Sequence, residues 1–210
     1  MLNVLVADDH AVVRRGLRQI LEAQTDIRVG AEAESGEEVI ALVRANRFDV
    51  VVLDVTMPGR GGLDVLAELS ALKPPPKVLV LSMHPEERYA VRVLRAGASG
   101  YLTKESAPEE LVNAVRKVAS GGRYVSPSLA ERLAVEVGAS SQRPAHDLLS
   151  NREYEIMCKL ASGRTVSEIA TELHLGVNTV STYRARVLQK LDLSNNAELM
   201  RYALHHQLVD

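Results

Sequence analysis

The 210-residue chain has a single cysteine, Cys158, so no disulfide can form within it. That excludes a disulfide-stapled secreted scaffold and fits a reducing compartment. Cys158 lies in an apolar helical pattern and reads as a small buried hydrophobe. An excess of charge of one sign is also missing: 25 Lys and Arg against 27 Asp and Glu leave a net charge of −2. Such a chain is not a polycation built to coat nucleic acid, although a local basic surface remains compatible with it. Long hydrophobic runs are absent too. Nowhere do about 18 consecutive apolar residues occur, so no membrane insertion is expected. The opening MLNVLVADDH reaches two acidic residues too early for a signal peptide. A cytoplasmic location is the expectation.

What is present is an alternation. Short apolar runs at Leu2–Ala7, Ile27–Ala33, Val50–Leu53, Val78–Ser82 and Ser99–Leu102 are separated by amphipathic stretches near 11–24, 36–46, 61–72, 85–96 and 108–120. Strands alternating with helices predict βαβ units and a parallel sheet covered on both faces, which explains why VLVA, VVVL and VLVL are continuous rather than alternating. Capping boxes are predicted at Ser35 with Glu38, Ser106 with Glu109, Ser150 with Glu153 and Thr165 with Glu168. Residues 121–147 break the rhythm, with one short helical stretch near 128–137 and the small, polar and proline-bearing GASSQRPAH, and read as a linker. After it no strand pattern recurs; helices are predicted at about 151–161, 166–172, 177–191 and 196–206. The domains expected are therefore 1–120 (α/β), a linker at 121–147 and 148–210 (all-α).

In an open parallel sheet, ligands bind beyond the carboxyl ends of the strands. Asp8 and Asp9 follow the first strand there, and Asp54 follows the third. An aspartate at the exit of the unbroken run VVVL is costly unless something pairs with it. Carboxylates this close raise one another's pKa values unless a cation intervenes. An all-oxygen acidic pocket suits a hard divalent ion such as Mg²⁺. Ser82 ends the fourth strand and Lys104 follows the fifth. With the cation, they supply the charge and donors that a carboxylate nucleophile needs to attack a phosphoryl group.

Residues 1–120 resemble the receiver domain of two-component response regulators, on DDH, LDVTMPGRGGLD, LSMH and GYLTK. The resemblance implies a five-stranded doubly wound, flavodoxin-like sheet of order 2-1-3-4-5 and a phosphoacceptor, Asp54, served by a sensor histidine kinase. It implies that Asp9, Asp54 and the Thr56 backbone carbonyl ligate Mg²⁺ (or Mn²⁺), with Asp8 acting through a metal-bound water. Lys104 would pair with the carboxylate or phosphoryl group, and Ser82 and Tyr101 would form the switch pair. Met83 stands where many receivers have a small residue and is expected to crowd the phosphoryl group. Glu105 replaces a frequent proline, so a cis Lys104–Glu105 bond would cost about 2.5–4 kcal/mol.

In the C-terminal part, a short helix, a turn near His174–Gly176 and a longer helix make a helix-turn-helix candidate. Val177, Val180, Val187, Leu188 and Leu191 form one apolar side of the longer helix, and residues 176–191 contain no carboxylate. That face suits the major groove, with Asn178, Thr179, Ser181, Thr182, Tyr183, Ala185, Arg186 and Lys190 as candidate contacts. Arg184 lies on the core side and ranks below Arg186 for base contact. A solvated charged face on a bundle is the plainer alternative for these residues. Residues 148–209 are similar to the LuxR-type DNA-binding domain of the NarL/FixJ class, on LSNREYEIMCKLASGRTVSEIATEL and NTVSTYRARVLQKLDL. That resemblance implies a four-helix helix-turn-helix domain binding double-stranded DNA, a homodimer on activation, often through its fourth helix, and RNA polymerase as a further partner.

Two other functions compete with a phosphorylation-controlled transcription factor. An aspartyl-nucleophile phosphatase commonly needs a second aspartate two residues after the nucleophile, where this chain has Thr56, and leaves the DNA-binding tail unexplained. A regulator using its receiver as a phosphorylation-independent interaction module is opposed by the complete acidic set. The expected protein is thus not an enzyme beyond self-phosphorylation and slow autodephosphorylation.

Overall fold

The computed structural model describes residues 1–57, 62–83, 86–131, 144–206 and 208–209. Contacts divide the chain into two compact units, Met1–Ala139 and Ser140–Asp210.

In the first unit, β1 (Leu2–Ala7), β2 (Ile27–Ala33), β3 (Val50–Asp54), β4 (Lys77–Ser82) and β5 (Gly100–Thr103) form one sheet of order β2-β1-β3-β4-β5. Every pairing is parallel. Between the strands run α1 (Ala11–Glu22), α2 (Gly36–Ala45), α3 (Gly62–Ala71) and α4 (Glu86–Arg95), and α5 (Ala107–Ala119) follows β5. The central strand β3 is buried along its whole length, as its run of valines requires. Val4, Val6, Val50, Val52, Leu79 and Leu81 share a core with Leu17 and Leu21 of α1 and with Leu111, Val115 and Val118 of α5. Burial of this kind contributes roughly 25 cal/mol per Å² of apolar surface and dominates the stability of the sheet. The β1–β3–β4 register carries the first and third strand ends to the same edge, where Asp8 and Asp54 lie.

Glycine 62 opens α3 against the chain leaving β3. A Cβ there would lie 2.3 Å from Val55 Cα, a contact no side chain can make. The close approach pins the first turn of α3 beside the residue that follows Asp54. Pro58 and Gly59, whose Pro-Gly pair reads in the sequence as holding the backbone of this turn, lie outside the described residues.

The boundary expected at 120 is too early. After α5 the chain returns along the outer edge of β5: Tyr124 N donates to Ser99 O at 3.0 Å, and Tyr101 N donates to Tyr124 O at 3.0 Å. This segment occupies donors and acceptors that an open edge would leave unpaired. Gly100 is required there, since a Cβ would sit 2.8 Å from Tyr124 O. Residues 127–131 are helical, which covers the start of the helix expected near 128–137; the remainder lies outside the described residues.

The second unit contains a short 3-10 turn (Ala145–Leu148), then α6 (Asn151–Ala161), α7 (Val166–Glu172), α8 (Val177–Lys190) and α9 (Asn196–His205). Its core includes Ile156, Met157, Leu160, Ile169, Val180, Val187, Leu199 and Ala203. Ser150 with Glu153 and Thr165 with Glu168 form complete capping boxes. Ser35 caps the Glu38 amide, but the Glu38 carboxylate reaches back to Glu34 N rather than to Ser35 N. The box expected at Ser106 is absent: the Ser106 hydroxyl is 2.9 Å from Thr103 Oγ1, and its backbone is already helical. Val177 departs from expectation as well. It is 49% exposed, being the first residue of α8 and lying beyond the reach of the core.

Candidate functional site

At the carboxyl edge of the sheet the protein collects Asp8, Asp9, Asp54 and Lys104. Asp8 and Asp54 are fully buried and Asp9 partly so. Asp54 Oδ1 accepts two hydrogen bonds from Thr56, 2.8 Å from its N–H and 2.7 Å from its hydroxyl. Asp54 Oδ2 accepts from Lys104 Nζ at 2.7 Å. The same ammonium lies 2.6 Å from Asp8 Oδ2. Burial alone would lower the Lys104 pKa, but the hydrogen bond and charge of Asp54, with the nearby Asp8 carboxylate, outweigh it and hold the ammonium above its ordinary value. Lys104 is itself placed by its backbone, whose N–H donates to Ser82 O at 2.8 Å.

Formally, three carboxylates against one ammonium leave the pocket negative. Unpartnered oxygens in this set mark where a divalent cation would fit. Among the described residues, Asp8 Oδ2 and Asp9 Oδ1 are buried and have no hydrogen-bond partner. Their close contacts, to Lys104 and to His10 Nδ1 at 2.9 Å, are ion-pair distances with poor hydrogen-bond angles. Ligand atoms of Asp8, Asp9, His10 and Asp54 all lie within 4.8 Å of one another. Lone pairs so placed fit a hard cation.

Ser82 and Tyr101, the expected switch pair, are both buried at the adjoining strands, with Tyr101 only 1% exposed. The ring is therefore already inward in this conformation. Met83 is 71% exposed, so its side chain lies in solvent and does not crowd the pocket. Among the described residues the cis peptide is Lys73–Pro74, and Lys104–Glu105 is trans.

On the second unit, α8 presents Asn178, Thr179, Ser181, Thr182, Ala185 and Arg186 as exposed residues on one acid-free surface. Arg186 lies over the Tyr183 ring, 5.9 Å from its centroid, and has no ion-pair partner among the described residues. Arg184 is turned away: its Nε donates to Asn196 Oδ1 at 2.6 Å. Lys190, also a candidate DNA contact, places its ammonium 2.7 Å from the buried Glu153. Burial would raise the Glu153 pKa, but Lys190 and the Ser150 cap bonds hold it below the usual carboxylate value.

Residues 4–116 match the response regulator receiver domain, and residues 147–203 match the bacterial regulatory proteins of the luxR family. The chain belongs to the response regulators of two-component systems. This response regulator is 39% identical to response regulator UvrY of Escherichia coli K12 over 209 residues, covering 99% of this chain and 96% of that protein. It is also 39% identical to response regulator GacA of Pseudomonas aeruginosa over 211 residues, covering 100% and 99%. Among solved structures it is similar to RcsB from Salmonella enterica serovar Typhimurium bound to promoter rprA in the presence of phosphomimetic BeF₃⁻, with TM-score 0.64, 27% identity and coverage of 96% and 98%. Such regulators are transcription factors rather than catalytic enzymes, and their receivers generally bind Mg²⁺ at an acidic pocket. No helix among the described residues is long and apolar enough to cross a membrane.

For this response regulator, Asp8, Asp9, Asp54, Ser82 and Lys104 were expected at one edge of the sheet, and the fold brings them there; Thr56 lies beside Asp54, and Tyr101 lies inside β5, two residues before its end. His10, whose ring sits on Asp9 and Asp8, was not expected there, although it directly follows them in DDH.

Proposed function

We propose that Asp54 accepts a phosphoryl group from a sensor histidine kinase, and that this controls dimerisation and sequence-specific binding of double-stranded DNA by the LuxR-type domain. The observation that supports this most is the environment of Asp54. It is a buried carboxylate with one oxygen occupied by two Thr56 donors and the other held by Lys104, beside two carboxylate oxygens that lack hydrogen-bond partners among the described residues.

In the transfer, Asp54 Oδ2 attacks the phosphorus of the kinase phosphohistidine. The new O–P bond forms as the N–P bond breaks, and the leaving imidazole keeps its electron pair. Asp9 and Asp54 side chains and the Thr56 carbonyl would hold Mg²⁺ or Mn²⁺, with Asp8 acting through water; the ion would supply positive charge to the phosphoryl oxygens. Lys104 exchanges its carboxylate contact for the incoming phosphoryl oxygens, and Thr56 keeps the Asp54 carboxyl group oriented throughout. Ser82 donates its hydroxyl to the phosphoryl group from the end of β4, which shifts the β4–β5 edge where Tyr101 is packed. Phosphorylation thus adds charge and acceptor oxygens to a packed two-state element. Water later cleaves the O–P bond and restores the carboxylate.

The output is carried by α8 entering the major groove. Asn178, Thr179, Ser181, Thr182 and Ala185 meet base edges and sugar–phosphate, Tyr183 touches phosphate, and Arg186 reaches guanine or phosphate. Lys190 supports the helix through Glu153. Dimer formation through α9 is supported by the exposure of Met200 (39%) and Leu204 (53%) on that helix. RNA polymerase would be engaged once the dimer is seated on DNA, and the protein works in the cytoplasm.

Beryllofluoride with Mg²⁺ tests this reading. Sedimentation and DNA-binding isotherms should show a tighter dimer and tighter DNA binding in its presence, and no change in an Asp54→Asn variant. Wild-type behaviour identical with and without beryllofluoride would transfer the reading to a phosphorylation-independent regulator.

A further inference from the structure

Arginine 14 lies on α1 with its side chain 8% exposed, an unusual place for a guanidinium. Its Nη1 donates to the backbone carbonyl of Asp8 at 2.7 Å. Its Nη2 pairs with Glu34, and its Nε lies 3.6 Å from Glu32, too far for a hydrogen bond. That Nε is buried without a hydrogen-bond partner among the described residues.

These partners do not account for the residue as a source of stability. Glu34 and Glu32 are 66% and 32% exposed, so water competes for both. Burying a guanidinium carries a desolvation penalty of several kcal/mol, and an apolar side chain of similar volume is often neutral or better. What an apolar side chain cannot do is donate to Asp8.

That bond matters because of what else holds Asp8. Its N–H donates to Ala33 O of β2 at 3.2 Å, and its carbonyl is taken by Arg14 of α1, so the two peptide units that flank the Asp8 Cα are each held from outside the strand. Fixing both planes fixes the direction of the side chain between them. The Asp8 carboxylate then sits fully buried, accepting from His10 N at 2.8 Å and facing Lys104. Asp9 is attached to the second of these planes, the Asp8–Asp9 peptide whose carbonyl Arg14 holds.

We infer that Arg14 is a positioning residue for the acidic pocket: through the Asp8 carbonyl it aims the Asp8 and Asp9 carboxylates that take up a divalent cation. This rests on the reading of the pocket as a divalent-metal site. Outer-shell partners of metal ligands typically contribute about 10–100-fold to metal affinity. Arg14 meets the pocket at one remove further, through backbone, and about tenfold is the expected size.

The test is a Mn²⁺ titration of the full chain, followed by the EPR signal of the free ion, for wild type, Arg14→Met and Arg14→Lys. Arg14→Met should bind Mn²⁺ about tenfold more weakly. Arg14→Lys, which keeps charge and reach but not the fork, should fall between the two, by roughly threefold. In metal-free protein, amide exchange at Asp9 and His10 should quicken in Arg14→Met while Val51 and Val52 amides keep their protection. A purely structural residue would instead lower the melting temperature and leave Mn²⁺ affinity within about twofold of wild type, and that result overturns the inference. If Arg14→Met does not fold, Arg14→Lys decides by the same criterion. Failure of the wild type to bind Mn²⁺ would remove the metal reading and this inference together; wild-type binding matched by Arg14→Met would remove the inference alone.

Discussion

Replacing Lys104 by methionine removes the one ammonium that touches both buried aspartates, at 2.7 Å from Asp54 and 2.6 Å from Asp8. The Coulomb attraction of one such pair is about 6 kcal/mol at an effective dielectric constant near 20. Desolvation of the lysine cancels much of this, and the two contacts share one charge. Breaking a buried pair from one side typically costs about 3–5 kcal/mol. Water can reach the pocket beside the partly exposed Asp9 and solvate part of the freed charge, which favours the lower end, about 3 kcal/mol. At about 2.1 cal/mol/K of unfolding entropy per residue, this corresponds to roughly 10 °C in the melting of the α/β unit. Calorimetry of the full chain in EDTA should show the drop in one transition and leave that of the helical unit in place. Mg²⁺ is then expected to restore more stability to Lys104→Met than to wild type, because the more negative pocket attracts it more strongly. A variant melting within about 2 °C of wild type in EDTA, with the same response to Mg²⁺, would refute the electrostatic account of the pocket.

Further outcomes can be checked independently. Gly62→Ala should destabilise the α/β unit by about 1–3 kcal/mol, read by urea denaturation, because its Cβ would meet the Val55 backbone at 2.3 Å; phosphorylation from acetyl phosphate should fall with it. Asp192 closes α8 with φ of 54°, so Asp192→Gly should raise the stability of the helical unit by roughly 0.5–1 kcal/mol in the same assay. The depressed Glu153 pKa makes the helical unit acid-sensitive: its stabilisation is complete above the unfolded carboxylate value of about 4.3 and is lost as pH falls through the lower folded value. Glu153→Gln should flatten that limb of the melting temperature–pH curve. Arg186→Ala should weaken specific DNA binding by about 1–3 kcal/mol in fluorescence anisotropy, whereas Lys190→Ala should act mainly on stability.

The pocket was legible because its residues sit at strand ends, where an unbroken valine run broken by aspartate leaves few readings. Ser150 and Thr165 were legible as caps because each box is closed within a single turn. Ser106 carries the same spacing, yet Thr103 offers its hydroxyl a competing partner and the box does not form. The ion pair of Lys190 was not legible because its partner, Glu153, lies 37 residues away on another helix. The early boundary at 120 had a similar cause. GGRYVS has linker composition, and only the exposed edge of β5 gives Tyr124 something to pair with. Arg14 was invisible for the opposite reason, since an arginine on an amphipathic helix ordinarily faces water. Cap and strand-end signals therefore survived; the pairing of Tyr124 depended on a partner distant in sequence, the Ser106 box on competition between adjacent hydroxyls, and His10, Met83 and Val177 on side-chain placement that spacing alone does not give.

The central claim is that Asp54 is the nucleophile. Intact-protein mass spectrometry after incubation with acetyl phosphate and Mg²⁺, followed by mapping of the modified peptide, tests it most directly. The account predicts one added phosphoryl group on Asp54, dependent on Mg²⁺ and lost in Asp54→Asn. Phosphorylation that persists in Asp54→Asn, or maps to another residue in the wild type, would contradict it.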